Sequence, residues 1–253
     1  MKNTAPAPIM LVSLPKSGTF FIGETLCQYF HTSPVWTSTK PSFPVGSLIH
    51  SQFFQFLAKR AVAYQHIAPS PSNLSLVEEN LDKILLHVRD PRETLVSWVH
   101  HLDSIYAKNT KRQLQQSFTQ VPEEYFLWSF KEKIDWQIAR FYTDSITWLE
   151  EWMTYIDSDP KLQVHVSTYA QLKKDPLHLF QSIISFYGGN PHRFSGKNMI
   201  DVKAGQYNFR KGDSNEWKHV LTEEQKALVT DLLSDELLEF VQKGVTPKSL
   251  TRM

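Results

Sequence analysis

Four short apolar runs, PIMLVSL (8–14), AVAYQHI (61–67), KILLHVR (83–89) and LQVHVSTY (162–169), are set apart by long stretches of helical apolar spacing. Runs of this length and apolarity read as buried strands. Helical spacing covers roughly 19–30, 47–60, 91–106, 122–156, 170–187 and 222–241. Short strands alternating with helices imply parallel pairing through helical crossovers. The expected fold is α/β, with a central parallel sheet flanked by helices and a strand–loop–helix suited to phosphate. At 253 residues the chain fits a single domain spanning 1–253 better than two small ones.

Bulk properties narrow the function classes. Apolar residues make up 41% and charged residues 21%, as in a globule that buries a core. A net charge of +1 argues against bulk nucleic-acid binding. The single cysteine, Cys27, rules out an internal disulfide, and its place among apolar residues of the first helical segment marks it as structural. MKNTAPAP at the start lacks a secretory h-region, and no apolar run reaches membrane-spanning length. The expectation is a cytoplasmic protein with no membrane partner. The polar stretch 107–120 reads as a flap or a solvated helix end. The long irregular stretch 198–218 reads as functional or disordered.

Chemistry collects at three places. In LPKSGTFF a turn joins the first apolar run to a helix. Such a turn offers backbone N–H groups and the positive end of a helix dipole to one point. Lys16 adds a cation, Ser17 and Thr19 add hydroxyls, and Gly18 allows close backbone approach. Taken alone, the segment is also compatible with an ordinary turn. It is not the G-x-x-x-x-G-K-[ST] loop of nucleotide triphosphatases, because the lysine precedes the glycine. In HVRDPRETLVSW, Arg89 and Asp90 fall at the carboxyl end of a strand, where open α/β sheets bind ligands, and Ser97 follows about two turns into a helix. The alternatives are that Asp90 merely caps that helix beside an incidental surface arginine, or holds magnesium as in a Walker-B strand. In FRKGDSNEWK, Arg210, Lys211 and Gly212 combine two cations with a flexible backbone. Three anion-competent elements suggest a ligand with more than one phosphate-like group.

LPKSGTFF, VRDPRETLVSW and FRKGDSNEWK, in this order, resemble the signatures of sulfotransferases that use 3′-phosphoadenosine 5′-phosphosulfate (PAPS), most closely their cytosolic branch. The resemblance implies that Lys16, Ser17, Gly18 and Thr19 grip the 5′-phosphosulfate. It implies that Arg89, Ser97, Arg210, Lys211 and Gly212 hold the 3′-phosphate. Phe20 and Phe21 fall beside the adenine position, Phe21 where the family often has a stacking tryptophan. Tyr169, in VSTYAQLKKDP, matches a nucleoside-contacting tyrosine. Guanidinium forks and backbone amides suit phosphate oxygens. No metal is implied, since a sulfonate carries less charge than a phosphoryl group.

Among ten histidines, the family's catalytic base matches His66, at the end of the second strand and ahead of a proline-containing turn and a Leu-rich helix. Lys16 would stabilise charge on the leaving phosphate. His87 and His165 lie within strands and read as core-edge residues. His31, His178, His192 and His219 fall in loops or on polar helix faces. His100 and His101 are adjacent on a helix, so they diverge rather than converge on a metal. Glu24 is the reserve base. Two departures stand out. Tyr64 replaces a family lysine two residues before the histidine, so either Tyr64 donates a hydrogen bond or another cation such as Lys40 reaches in. KHVLTEEQKA echoes the family's dimer segment at Lys218 and Thr222 but not at Glu223 and Ala227, which predicts a monomer or weak homodimer. The expected activity is sulfonate transfer from PAPS to a hydroxyl or amine of a small-molecule acceptor. A kinase using ATP and magnesium and a non-catalytic nucleotide-binding module are the alternatives. Aromatic segments WTSTKPSFP, HSQFFQF and EYFLWSF suggest a ring-lined acceptor pocket, though each ring is individually a better core candidate.

Overall fold

A computed structural model of the chain describes residues 7–39, 43–108, 121–201, 212 and 215–250. Four strands form one sheet: β1 (Ile9–Ser13), β2 (Val62–Gln65), β3 (Lys83–Val88) and β4 (Gln163–Thr168). They run parallel in the order β2-β1-β3-β4. The chain therefore leaves β1 to one side, returns past it and continues on the other. That reversal separates the loops after β1 and β3 and opens a crevice at their carboxyl ends.

Both faces of the sheet are covered, which is why the strands read as unbroken apolar runs. Strand periodicity divides their side chains between two cores. Ile9, Leu11, Val62 and Leu85 face α1 (Thr19–Phe30) and the later helices α7 (Tyr169–Lys174) and α8 (Pro176–Phe186). Met10, Val12, Ala63, Ile84 and Leu86 face a larger layer. It contains α2 (His50–Lys59), α3 (Pro71–Asn80), α4 (Pro91–Lys108), α5 (Phe130–Gln137) and α6 (Thr143–Asp157). Trp217, just inside α9 (Glu216–Val220), packs on the same layer, as do α10 (Glu223–Asp231) and α11 (Asp235–Lys243); α12 (Pro247–Leu250) follows them.

The helical stretches are less continuous than their apolar period suggests. Between 170 and 187 the helix breaks at Asp175–Pro176, since proline cannot donate the next helical bond. Asp175 then caps α8 by accepting from His178 N–H. Between 222 and 241 it breaks before Ser234, which accepts from Leu237 N–H and starts α11. The stretch 122–156 resolves into a 3-10 turn (Glu123–Leu127), α5, a π turn (Ile138–Tyr142) and α6. Most of the 107–120 stretch lies outside the described residues. The aromatic segments contribute mainly core: Phe43, Phe53, Phe56 and Tyr125 are buried, whereas Trp36 and Phe54 remain 38% and 49% exposed.

Candidate active site

The first strand ends at Ser13, and α1 begins at Thr19. Their hydroxyls meet at 2.6 Å and close the neck of the intervening loop. Within that loop Lys16 has φ 67° and Gly18 φ 85°, both left-handed, while Ser17 between them does not. A side chain tolerates the left-handed region poorly, so Lys16 is strained and Gly18 is the residue that fits. A Cβ at Gly18 would also press on Leu172 at 3.3 Å and touch the Tyr169 ring. Alternating backbone handedness of this kind turns successive amides toward one point.

Among the described residues no side chain caps the N-terminus of α1, and no acidic residue lies in its first turn. A missing cap costs about 1 kcal/mol. Burial of Ile22, Leu26 and Phe30 on the opposite face, at about 1.5–3 kcal/mol each, is several times larger. The helix can thus leave its first amides and its dipole for an anion. The Ser17 hydroxyl is wholly buried within this loop and has no hydrogen-bond partner among the described residues.

Two side chains of the β3 segment hold the loop from beneath. Arg89 Nη1 donates to the Lys16 carbonyl at 2.6 Å, and its Nε donates to Glu93 at 2.8 Å. Its guanidinium also lies 3.8 Å from the centre of the Tyr169 ring. Arg89 is only 5% exposed, so it is not an incidental surface charge. Burial pushes the Glu93 carboxyl up to about 7, against the pull of Arg89. Asp90 does cap α4: it accepts from Arg92 N–H at 2.9 Å and pairs with the Arg92 guanidinium. Arg92 in turn lies 4.5 Å from the Trp217 ring centre, anchoring the start of α9. Ser97 is half-buried one turn beyond Glu93 on the same face of α4.

The second support was not legible as part of a site. His87, read from sequence as a core-edge residue, is fully buried, with Nε2 3.0 Å from the Ser17 carbonyl and Nδ1 2.9 Å from Ser167 Oγ. Burial drives its imidazole down to about 3, so it stays neutral. Ser13 pairs in register with His87, and His87 with Ser167. The three make a buried polar row at one level of three apolar strands. A polar residue near the carboxyl end of a buried strand is the signal that finds such positions.

His66 extends this row, one residue past the Val12–Gln65 pair. Its Nδ1 is 2.8 Å from the Ser13 carbonyl. A carbonyl only accepts, so Nδ1 carries the proton and Nε2 presents its lone pair. Burial and the nearby Lys16 charge push the ring down to about 4, although the bond to Ser13 works the other way. The next carbonyl, that of Ile67, accepts from the indoles of both Trp148 and Trp152. The His66 segment is therefore fixed on two sides.

The remaining positions are as follows. Tyr64 donates to Glu24 at 2.7 Å, and its ring occupies the space that a Cβ on Gly23 would need. Burial and the Glu24 charge raise the Tyr64 hydroxyl above its ordinary value, so it is a donor. Phe20 meets Tyr64 edge-on and lines a cleft of about 360 Å³ with Glu24, Gln28, Met199, Ile200 and Asp201. Phe21 packs edge-on against Phe180 of α8. Gly212 has a left-handed φ of 65°. Arg210, Lys211 and Lys40 lie outside the described residues. Cys27 is buried, and its thiol is raised to about 12, as a structural cysteine would be.

Residues 6–240 match the family described as "Sulfotransferase domain". The chain belongs to the sulfotransferase family. Human "Sulfotransferase 6B1" is 24% identical over 245 residues, covering 86% of this chain and 72% of the human protein. Solved structures share its fold, among them the following two. Mouse sulfotransferase SULT7A1, complexed with PAP, superposes with a TM-score of 0.58 at 19% identity, covering 91% of this chain and 83% of the mouse chain. A sulfotransferase from Alicyclobacillus acidocaldarius superposes with a TM-score of 0.53 at 16% identity, covering 98% and 99% of the two chains. Among the described residues of this sulfotransferase, no helix is long and apolar enough to cross a membrane.

Proposed function

We propose that this sulfotransferase, read as one domain over the whole chain, moves a sulfonate from PAPS to a hydroxyl or amine of a small-molecule acceptor, with His66 as general base. The observation that carries the reading is the fixed, neutral His66, its Nδ1 on the Ser13 carbonyl beside a helix N-terminus without a cap. PAP, the desulfated product of PAPS, is the nucleotide in the mouse SULT7A1 structure.

The residues present suit that nucleotide. The buried, unpartnered Ser17 hydroxyl and the uncapped first turn of α1 suit a 5′-phosphosulfate, with Lys16, Gly18 and Thr19 completing the grip. Arg89 and Ser97, with Arg210, Lys211 and Gly212, would hold the 3′-phosphate. Tyr169, Phe20 and Phe21 would flank the nucleoside. When bound, PAPS supplies an electrophilic sulfonate on a phosphate leaving group. His66 Nε2 takes the acceptor proton, and Lys16 offers positive charge where the leaving oxygen becomes anionic. Tyr64 donates to Glu24, so in this reading the second cationic charge at the sulfonate would come from another residue such as Lys40.

Calorimetry with PAP and with AMP tests the reading. PAP should bind about 10–100-fold more tightly, because the 3′-phosphate adds charge-assisted hydrogen bonds. Equal affinities would refute the 3′-phosphate assignment. Turnover with PAPS should persist in EDTA, whereas a magnesium-dependent kinase would stop.

A further inference from the structure

In the loop that the proposed function assigns to the phosphosulfate, two carbonyls are fixed by side chains from outside it. In a trans peptide the carbonyl of one residue and the N–H of the next point in opposite directions. With the Lys16 carbonyl held by Arg89 and the Ser17 carbonyl by His87, the amides of Ser17 and Gly18 must point away from the sheet. That is the direction from which an anion arrives. We infer that His87 is a positioning residue for sulfonate-donor binding: it holds the Ser17 peptide in its anion-receiving orientation, and Ser167 holds the ring by its other nitrogen.

The tautomer follows from the partners. The Ser17 carbonyl can only accept, so Nε2 carries the proton and Nδ1 has the lone pair. Nδ1 then needs a donor, and Ser167 Oγ at 2.9 Å is one. The same hydroxyl is 3.5 Å from the Leu86 carbonyl, a distance at which little hydrogen bonding remains, so its single proton goes to His87. Without Ser167 the buried Nδ1 lone pair would lose its donor, and the ring would hold the Ser17 carbonyl less firmly. Ser167, His87 and Ser17 are all wholly or almost wholly buried, so water cannot substitute for a lost partner. Neither histidine nor serine touches the acceptor side in this arrangement. Their effect reaches the ligand only through the loop.

The inference rests on the assignment of this loop to the donor's 5′ end, and the test separates the two. PAP and AMP share the 5′-phosphate, so a loop defect must weaken both by the same factor, whereas a defect at the 3′-phosphate site weakens PAP alone. Calorimetry with both nucleotides on His87→Leu should show about 10–100-fold weaker binding of each, since the Ser17 carbonyl loses its donor. His87→Gln keeps a donor for Ser17 and an acceptor for Ser167 and should recover binding to within about 5-fold of the wild type. A residue that merely fills the core would be replaced as well by leucine as by glutamine. Ser167→Ala, a smaller change that leaves the fold standing if His87→Leu does not, should weaken both nucleotides by about 3–10-fold. Leucine binding like the wild type, glutamine no better than leucine, Ser167→Ala without effect, or a loss confined to PAP would each overturn the inference. A wild-type protein that binds neither nucleotide would overturn the functional reading, and this inference with it.

Discussion

Each of the four strands hands the chain to a helix, and the four junctions differ in how the first helical turn is closed. After β2, Ser70 accepts from Asn73 N–H. After β3, Asp90 accepts from Arg92 N–H. After β4, Thr168 and Gln171 form a reciprocal capping box. After β1, the cap position is Gly18 in a left-handed conformation, and among the described residues no side chain reaches back. Three junctions satisfy their own amides, and the fourth leaves its amides to be satisfied by something else. The difference teaches where an anion can bind in an otherwise uniform architecture. An amide already bonded to a serine or aspartate oxygen gains little from a phosphate oxygen, whereas an uncapped turn gains the whole interaction.

The largest test concerns His66, which hangs from the last carbonyl before the open junction. His66→Ala should reduce kcat by about 10²–10⁴ while leaving PAP affinity unchanged. Near-normal turnover would move the base to Glu24. The open junction can be closed directly. Gly18→Asp would put a carboxylate at that junction, with some strain, since the left-handed φ and Leu172 both disfavour a Cβ there. PAP binding measured by calorimetry should then weaken by about 100-fold, through lost amides and charge repulsion. Unchanged affinity would mean that the loop does not meet the phosphate.

A pH series sharpens the picture of the row beneath the loop. His66 and His87 titrate at about 4 and about 3 in the folded protein, against an ordinary 6.5. The unfolded chain therefore binds more protons below about 6.5. Their stabilising contribution is present above that pH and is lost as pH falls through the folded values. Thermal unfolding should shift to lower temperature between pH 6.5 and 4, and His66→Ala should flatten part of the shift. The acid limb of kcat/KM should lie near 4 rather than 6.5. A limb at the ordinary histidine value would show that His66 is not held as described. The smallest effect is the control at a closed junction. Thr168→Ala should cost about 1 kcal/mol in denaturant unfolding and leave PAP affinity untouched. A matching loss of affinity would erase the distinction between closed and open junctions.

The chain's own pattern determined the alternation of strands and helices, the anion-suited turn at Lys16–Thr19 and the strand-end position of Arg89. Each depends on residues close together in sequence, through apolar period, turn chemistry and strand length. Some local signals were outvoted: the apolar period ran through Asp175–Pro176 and through Ser234, although proline and a serine cap break the helix there. Tertiary structure alone decided the rest. Ser13, His87 and Ser167 look unrelated along the chain, and they share one level only because parallel register aligns three strands joined by helices. Arg89 could be read as an anion ligand, but that it also holds the Lys16 carbonyl and stacks on Tyr169 depends on the crevice between β1 and β3. The protonation of His66 belongs to the same class. Which ring nitrogen carries the proton is fixed by the Ser13 carbonyl, and a hydrogen bond between neighbouring strands exists only once the sheet has formed.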